Sequence, residues 1–320
     1  MPDRPSNTPA ATVVVTTKDR RDDLARLLPS AIAQTADCEI LVVDDGSSDG
    51  TAEMVRERFP EVRLERSEQP LGYIVQRTRA AELARAPVIV SLDDDAVLPS
   101  PQTVEQTLAD FDHPSIGAVA MPFVDVRPDG VFDLQRAPDT ESRWVTASYV
   151  GTAHAVRRDV FLGVGGYRAT LLHQVEELDF CLRMLGAGYV VRIGRADPLR
   201  HLQSPKRNLP RLLTLTARNE LLNGWHNVPW PYLPLRWVKV LATCTLLAAR
   251  WRQPRALARG TWLGLRDSYR LREDRRPVPR AVYLVDHDIR KRGPLTVEQV
   301  ARRLPPPALA AAPDAVPAGV

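Results

Sequence analysis

Two short apolar segments of this 320-residue chain each run into a cluster of carboxylates. Residues 88–92 lead into Asp93-Asp94-Asp95, and residues 39–43 lead into Asp44-Asp45-Gly46-Ser47. Alternate residues of an extended segment point the same way, so Asp93 and Asp95 can face one site while Asp94 faces away. Two hard carboxylates at that spacing suit a divalent Mg2+ or Mn2+ that also holds phosphate oxygens. An acidic surface turn has the same composition. A carboxylate at a strand end, here Asp45, can accept hydrogen bonds from a ribose or a base. Ser48 or Asp49 is placed to cap the helix that follows.

Both clusters need elements that hold them at one edge. The first half of the chain alternates strand and helix patterns, which predicts an α/β fold with a mainly parallel sheet. Strands are expected at 12–17, 39–43, 62–66 and 88–92, and helices at 22–33, 51–59 and 76–85. In such a sheet the carboxyl ends of the strands face the ligand crevice. A further helix is expected from Pro101, with Ser100 as its cap. A strand is expected at 116–124, a loop or hairpin at 125–142, and another strand at 149–156. Residues 163–167 form a Gly-rich turn, for which Gly165-Gly166 need no explanation beyond tight geometry. Residues 175–185 read as a helix with Leu178, Cys181, Leu182 and Leu185 inward, followed by a strand at 189–193.

After Pro205 the texture changes to Arg-rich amphipathic stretches containing Trp237, Trp251 and Trp262. Residues 235–271 suit either helices packed on the domain or on a second subunit, or a peripheral contact with a membrane.

The bulk numbers exclude a disordered chain: 44% hydrophobic and 26% charged residues are globular proportions. A net charge of +4 is mild for this length; the Arg-dense half after Arg192 suits phosphates, an anionic membrane or nucleic acid, or simply a solvated surface, and no nucleic-acid partner is expected. Three scattered cysteines, Cys38, Cys181 and Cys244, offer no zinc spacing and fit a reducing compartment. The polar N-terminus lacks the apolar core of a secretory signal. No run of about 18 apolar residues marks a spanning helix. A cytoplasmic protein, peripheral at most on the inner face of the membrane, is therefore expected.

Taken together, Val13-Val14-Val15-Thr16-Thr17-Lys18-Asp19-Arg20, Val42-Val43-Asp44-Asp45-Gly46-Ser47-Ser48-Asp49-Gly50-Thr51 and Ser91-Leu92-Asp93-Asp94-Asp95-Ala96 resemble the family 2 inverting glycosyltransferases of GT-A fold. The resemblance covers roughly residues 10–225. It implies a Rossmann-like, mainly parallel sheet with helices on both faces, plus a helical C-terminal extension. It also implies a nucleotide-diphosphate sugar donor, an acceptor hydroxyl and a divalent Mn2+ or Mg2+.

Position by position, Thr16 and Lys18 would border the nucleotide and Asp45 would contact the base. Arg77 would approach the nucleotide, although Thr78 replaces the Asn that usually follows it. Asp93 and Asp94 would lie on the donor side, with Asp93 and Asp95 as the metal-holding pair and His201 completing the metal shell. Gly165, Gly166 and Glu176 would lie on the acceptor side, and Glu177 would be the catalytic base. Inverting transfer needs a carboxylate that takes the acceptor proton, and a first-turn position on a helix favours the anion. Asp179 has a plainer use, since Arg183 lies four residues on. Arg218-Asn219 resembles a recurrent pair that could contact the sugar or the acceptor, and its plainer reading is a helix-surface pair.

The expected organisation is a disordered N-terminus (1–10), the GT-A domain (11–225), a helical extension (226–303) and a disordered Pro/Ala-rich tail (304–320). Two other classes stay open. A sugar-phosphate nucleotidyltransferase would need a Gly-rich phosphate loop after the first strand, where no glycine occurs before Gly46. A non-catalytic nucleotide-sugar-binding protein on a degenerate GT-A fold would not need intact Asp93, Asp95 and Glu177.

Overall fold

The computed structural model describes residues 8–127, 130–202, 208–293 and 295–308. The first half alternates as its patterning predicts. Its elements are β1 (Ala11–Thr17), α1 (Arg21–Ile32), β2 (Cys38–Asp44), α2 (Thr51–Arg58), β3 (Arg63–Arg66), α3 (Tyr73–Leu83), β4 (Val88–Leu92), β5 (Ala96–Val97) and α4 (Thr103–Ala109). The middle contains β6 (Ile116–Ala120), β7 (Phe123–Arg127), β8 (Gly130–Leu134), β9 (Trp144–Thr146), β10 (Ala153–Arg157), α5 (Arg158–Gly163), α6 (Glu176–Gly186), β11 (Val190–Ile193) and β12 (Leu199–Leu202). The C-terminal part adds α7 (Leu209–Asn227), α8 (Tyr232–Trp251), α9 (Pro254–Arg270), α10 (Arg280–Arg292), β13 (Leu295–Thr296) and α11 (Val297–Ala301).

Among the described residues, nine strands form one sheet in the order β13-β9-β11-β6-β10-β4-β1-β2-β3. β1 pairs in parallel with both β2 and β4, and β2 with β3. β10 runs antiparallel between β4 and β6. β1 is apolar and buried along its whole length because helices cover both faces.

Four departures from the sequence expectation have local causes. The strand expected at 116–124 is two strands in different sheets, parted at Met121-Pro122; proline cannot donate to a ladder. α3 opens at Tyr73, three residues earlier than its pattern showed. α4 opens at Thr103 without a Ser100 cap, and Ser100 Oγ instead meets Asp197 at 2.9 Å. Leu178 is half-buried rather than inward, and Asp179 takes the buried place on α6.

The C-terminal part does more than extend the domain. α10 and α11 place Val282, Val285, Ile289, Val297 and Val300 in the same core as β1 and α1, and β13 joins the sheet edge on β9. α9 lies closely along α7. A Cβ on Gly260 would stand 2.5 Å from the Thr214 carbonyl oxygen, so that approach requires glycine. Trp237 and Trp251 turn inward onto this helical layer, while Trp262 is exposed. By length and composition α8 is long and apolar enough to cross a membrane. Arg236 and Lys239 interrupt its sequence, so no continuous apolar run announces it. The expected disordered ends fall mostly outside the described residues; within them, Ala10 N–H donates to Asp37 O and Ala308 N–H to Ala187 O.

Candidate active site

Asp93, Asp94 and Asp95 occupy a turn between β4 and β5 rather than a continuing strand, and Arg20 bridges the second and third of them. Asp93 accepts from Tyr73 Oη at 2.9 Å and Arg77 Nη2 at 2.7 Å. Asp94 accepts from Thr17 Oγ1 at 2.8 Å and Arg20 Nε at 3.3 Å. Burial pushes its carboxyl up to about 7. Asp95 meets Arg20 Nη2 at 2.5 Å and His201 Nε2 at 3.2 Å. Burial works against its ionisation, but His201 and Arg20 outweigh it and hold Asp95 below the usual carboxylate range.

A second sheet, β5-β12-β7-β8, explains how His201 arrives 106 positions after Asp95. On β12, His201 pairs with Ala96 of β5 on one side and Asp125 of β7 on the other. Its Nδ1 lies 2.9 Å from the buried Asp125 Oδ1. Burial opposes protonation of this ring, yet the flanking carboxylates raise it above the ordinary histidine value. Asp93, Asp95 and His201 each offer a ligand atom, and these atoms lie within 4.8 Å of one another. Two carboxylate oxygens and an imidazole nitrogen are a donor set for Mn2+ or Mg2+. Asp125 stands where a carboxylate orients a metal-bound imidazole through its other nitrogen. The loop or hairpin expected from Asp125 onward is a hairpin of β7 and β8, and only the parallel β7–β12 register reveals the use of Asp125.

Glu176 and Glu177 reach the same cavity from the first turn of α6. The backbone before them is strained: Leu172, Gln174 and Val175 have φ of 63°, 74° and 75°. A β-branched residue there is disfavoured, with strain of order 1–3 kcal/mol per residue. The Asn219 side-chain amide holds the segment, donating to the carbonyls of Leu171, His173 and Gln174 at 2.6, 2.8 and 2.8 Å. Arg218 beside it is buried on Asp267 at 2.7 Å and Thr170 O at 2.9 Å. The surface-pair reading of Arg218-Asn219 is therefore overturned: both are buried and fasten the loop that carries the glutamates. Asp179, also buried, pairs with Arg183 as its spacing predicts, and with Arg168.

The two glutamates differ. Glu176 is 2% exposed, its Oε2 has no hydrogen-bond partner, and burial beside Glu177 pushes it up to about 8. Burial raises Glu177 too, but the Arg77 charge and the Gly151 N–H favour its anion against that burial.

Asp93, Asp94, Asp95, His201, Glu176 and Glu177 line one cavity of about 670 Å3. Tyr73, His173, Gln174, Asn208 and Arg211 line it as well, and none of them stood out in the sequence. Arg77 lies just behind the wall, where Nη2 also donates to Gly151 O at 2.8 Å. The remaining expected residues stand apart. Asp45 accepts from Leu71 N and Gly72 N at 2.7 and 3.0 Å and from Gln76 Nε2 at 2.7 Å, so its carboxylate organises the entry to α3. Thr16 is buried with Oγ1 unpaired, and Lys18 is exposed at the end of β1. Gly165 and Gly166 close α5, with Gly166 packed on Phe161 and Thr78.

The model of the family Glycosyl transferase family 2 matches residues 12–171, which carry the aspartate turn and the β10 side of the cavity. The chain belongs to glycosyl transferase family 2. It is 36% identical over 127 residues to Validoxylamine A glucosyltransferase of Streptomyces hygroscopicus, covering 38% of this chain and 30% of that protein. The chain thus spans less than a third of the length of that relative. Mannosyltransferase PcManGT from Pyrobaculum calidifontis, solved with GDP-Man and Mn2+, superposes with a TM-score of 0.55 at 20% identity, over 89% of this chain and 87% of that one. GalNAc-T7, solved with UDP, GalNAc and Mn2+, gives 0.54 at 15% identity, over 75% and 55%. These likenesses establish the GT-A fold.

Proposed function

We infer that this member of family 2 transfers a sugar from a nucleoside-diphosphate sugar to an acceptor hydroxyl, by a single displacement that inverts the anomeric carbon. The observation that carries this is one cavity lined by both the aspartate–histidine cluster and the Glu176–Glu177 pair. A divalent metal held by Asp93, Asp95 and His201 would neutralise the departing diphosphate. Mn2+ is favoured over Mg2+ by the imidazole among the ligands. The structural neighbours with GDP-Man or UDP support a nucleotide-linked donor.

Within the cavity, the Glu177 carboxylate takes the acceptor proton as the hydroxyl attacks. Arg77 and the Gly151 N–H favour the Glu177 anion, while burial raises Glu176 to about 8. Tyr73 and Arg77 fix Asp93, and Asp125 fixes the His201 ring. Loss of a general base lowers turnover by about 10²–10⁴-fold. The test is a donor panel read by nucleoside-diphosphate release, repeated with Glu177→Gln and Glu176→Gln. Glu177→Gln should show that loss with donor binding kept. Full activity in Glu177→Gln with a dead Glu176→Gln would move the base by one residue. Release from no donor would favour the non-catalytic reading.

A further inference from the structure

The outer face of α8 and α9 is built against the usual rule for a helix that packs on a domain. The inner side of α8 is apolar as expected: Val240, Cys244 and Ala248 bury against Leu213, Ala217 and Leu221 of α7. Its outer side is apolar as well. Leu235, Val238, Ala242, Leu246 and Ala249 follow one another at helical spacing and are exposed, with Leu235 at 71% and Leu246 at 73%. α9, which touches both α7 and α8, repeats the pattern with Ala258, Trp262, Leu265 and Tyr269, where Trp262 is 61% and Tyr269 72% exposed. Trp230, ahead of α8, is exposed too. Large apolar side chains gathered on one solvent face mark a contact surface.

The charge on the same surface is one-sided. Between residues 229 and 271 stand eight cations: Arg236, Lys239, Arg250, Arg252, Arg255, Arg259, Arg266 and Arg270. The sole acid there is Asp267, buried against Arg218 and Arg266. Glu220 of α7 pairs with Arg236, and exposed Glu273 and Asp274 follow α9, but the cations stay in clear excess. An apolar stripe with exposed Trp and Tyr flanked by surplus arginines complements one surface above others: an anionic lipid bilayer.

We propose that α8 and α9 dock this chain on the surface of an anionic membrane, lying in the plane of the headgroups. Flat docking is consistent with α8 keeping its inner face on α7, a contact that spanning would break. It also has a consequence for the cavity. α9 runs beside α7 in the same direction, with Thr214 Oγ1 donating to Ala256 O at 3.3 Å. The α8–α9 junction therefore lies at the end of α7 whose Arg211, Leu212 and Leu215 line the cavity. Docking holds that end of the cavity at the bilayer, whatever the transferred group is.

The test is co-sedimentation of the full chain with vesicles of phosphatidylglycerol and phosphatidylcholine, against pure phosphatidylcholine, at low and high salt. Binding to the anionic vesicles, lost at high salt, is expected. Two exposed-surface variants divide the contact. Arg250→Gln, Arg255→Gln and Arg259→Gln together should weaken partition roughly fivefold per cation removed. Leu235→Gln, Leu246→Gln and Trp262→Gln together should weaken it at every salt concentration. The proposal is overturned if the parent fails to bind at low salt, or if neither variant weakens binding. It is overturned equally if the parent is a dimer that the apolar variant makes monomeric, since a second copy then covers the face. Retention in the pellet after a carbonate wash would mean a spanning α8 and would also overturn surface docking. None of these outcomes depends on sugar transfer, so the docking can fail while the proposed activity stands.

Discussion

Gly151→Ala adds a single methyl group to the cavity lining, directly against Glu177. The backbone of Gly151 lies outside the left-handed region, so alanine meets no conformational penalty there. The new Cβ would instead stand 2.3 Å from Glu177 Oε1 and 2.8 Å from Arg77 Nη1. Ordinary van der Waals contact begins at 3.4 Å, so the Glu177 carboxylate must retreat by roughly 1 Å, away from the Gly151 N–H that favours its charge. A reacting group misplaced by that distance lowers turnover by about 10²-fold. The assay is steady-state nucleoside-diphosphate release, with a thermal melt to show that the variant is folded. Glu177→Asp supplies the decisive comparison, because its shorter side chain withdraws from the added methyl. In the double variant the methyl should cost little beyond Glu177→Asp alone, a marked non-additivity. Additive losses, or turnover in Gly151→Ala within threefold of the parent, would refute the placement of Glu177 against Gly151 as the determinant of activity.

Asp95→Asn should abolish the upward shift in melting temperature that Mn2+ with UDP or GDP gives the parent, a shift worth about 2.7 kcal/mol at a hundredfold excess over Kd. An unchanged shift would remove Asp95 from the metal shell. The Glu176 proton makes a pH prediction for the metal-free protein. Burial raises Glu176 to about 8, so between an unfolded value of roughly 4.3 and that value the folded chain holds a proton that the unfolded chain has lost. Stability should fall as pH rises through this window. Glu176→Gln should flatten the fall and be more stable than the parent at pH 9, by about 1 kcal/mol or more. Parallel melting curves from pH 5 to 9 would show that Glu176 ionises in the fold as freely as in water.

What could be read from the residues alone was local and periodic. Apolar runs with β-branched residues marked β1, β2 and β4, helical spacing marked α1 and α2, and the aspartates at strand ends marked one wall of the cavity. The family motifs lie in this half of the chain, and the sheet brought the aspartate turn to the cavity while Asp45, Thr16 and Lys18 stand apart from it. The glutamate pair was marked by the family resemblance, and its place at the start of a helix agrees with it.

Contacts between distant segments left no such trace. Asp125 became a partner of His201 only when β7 and β12 paired in parallel, and no spacing rule links positions 76 residues apart. Asn219 looked like a surface residue until the fold closed it over three carbonyls of a strained loop. Asp45 and Gly151 make the same point from opposite sides. The carboxylate accepts from the backbone N–H groups of residues 71 and 72, while the missing side chain of Gly151 leaves room for Glu177, a contact that no local pattern shows. The outer face of α8 could not be told from its inner face, because both are apolar and only the packing on α7 shows which one is left to solvent. Periodicity reports what a segment can bury; which face meets what is settled by the rest of the chain.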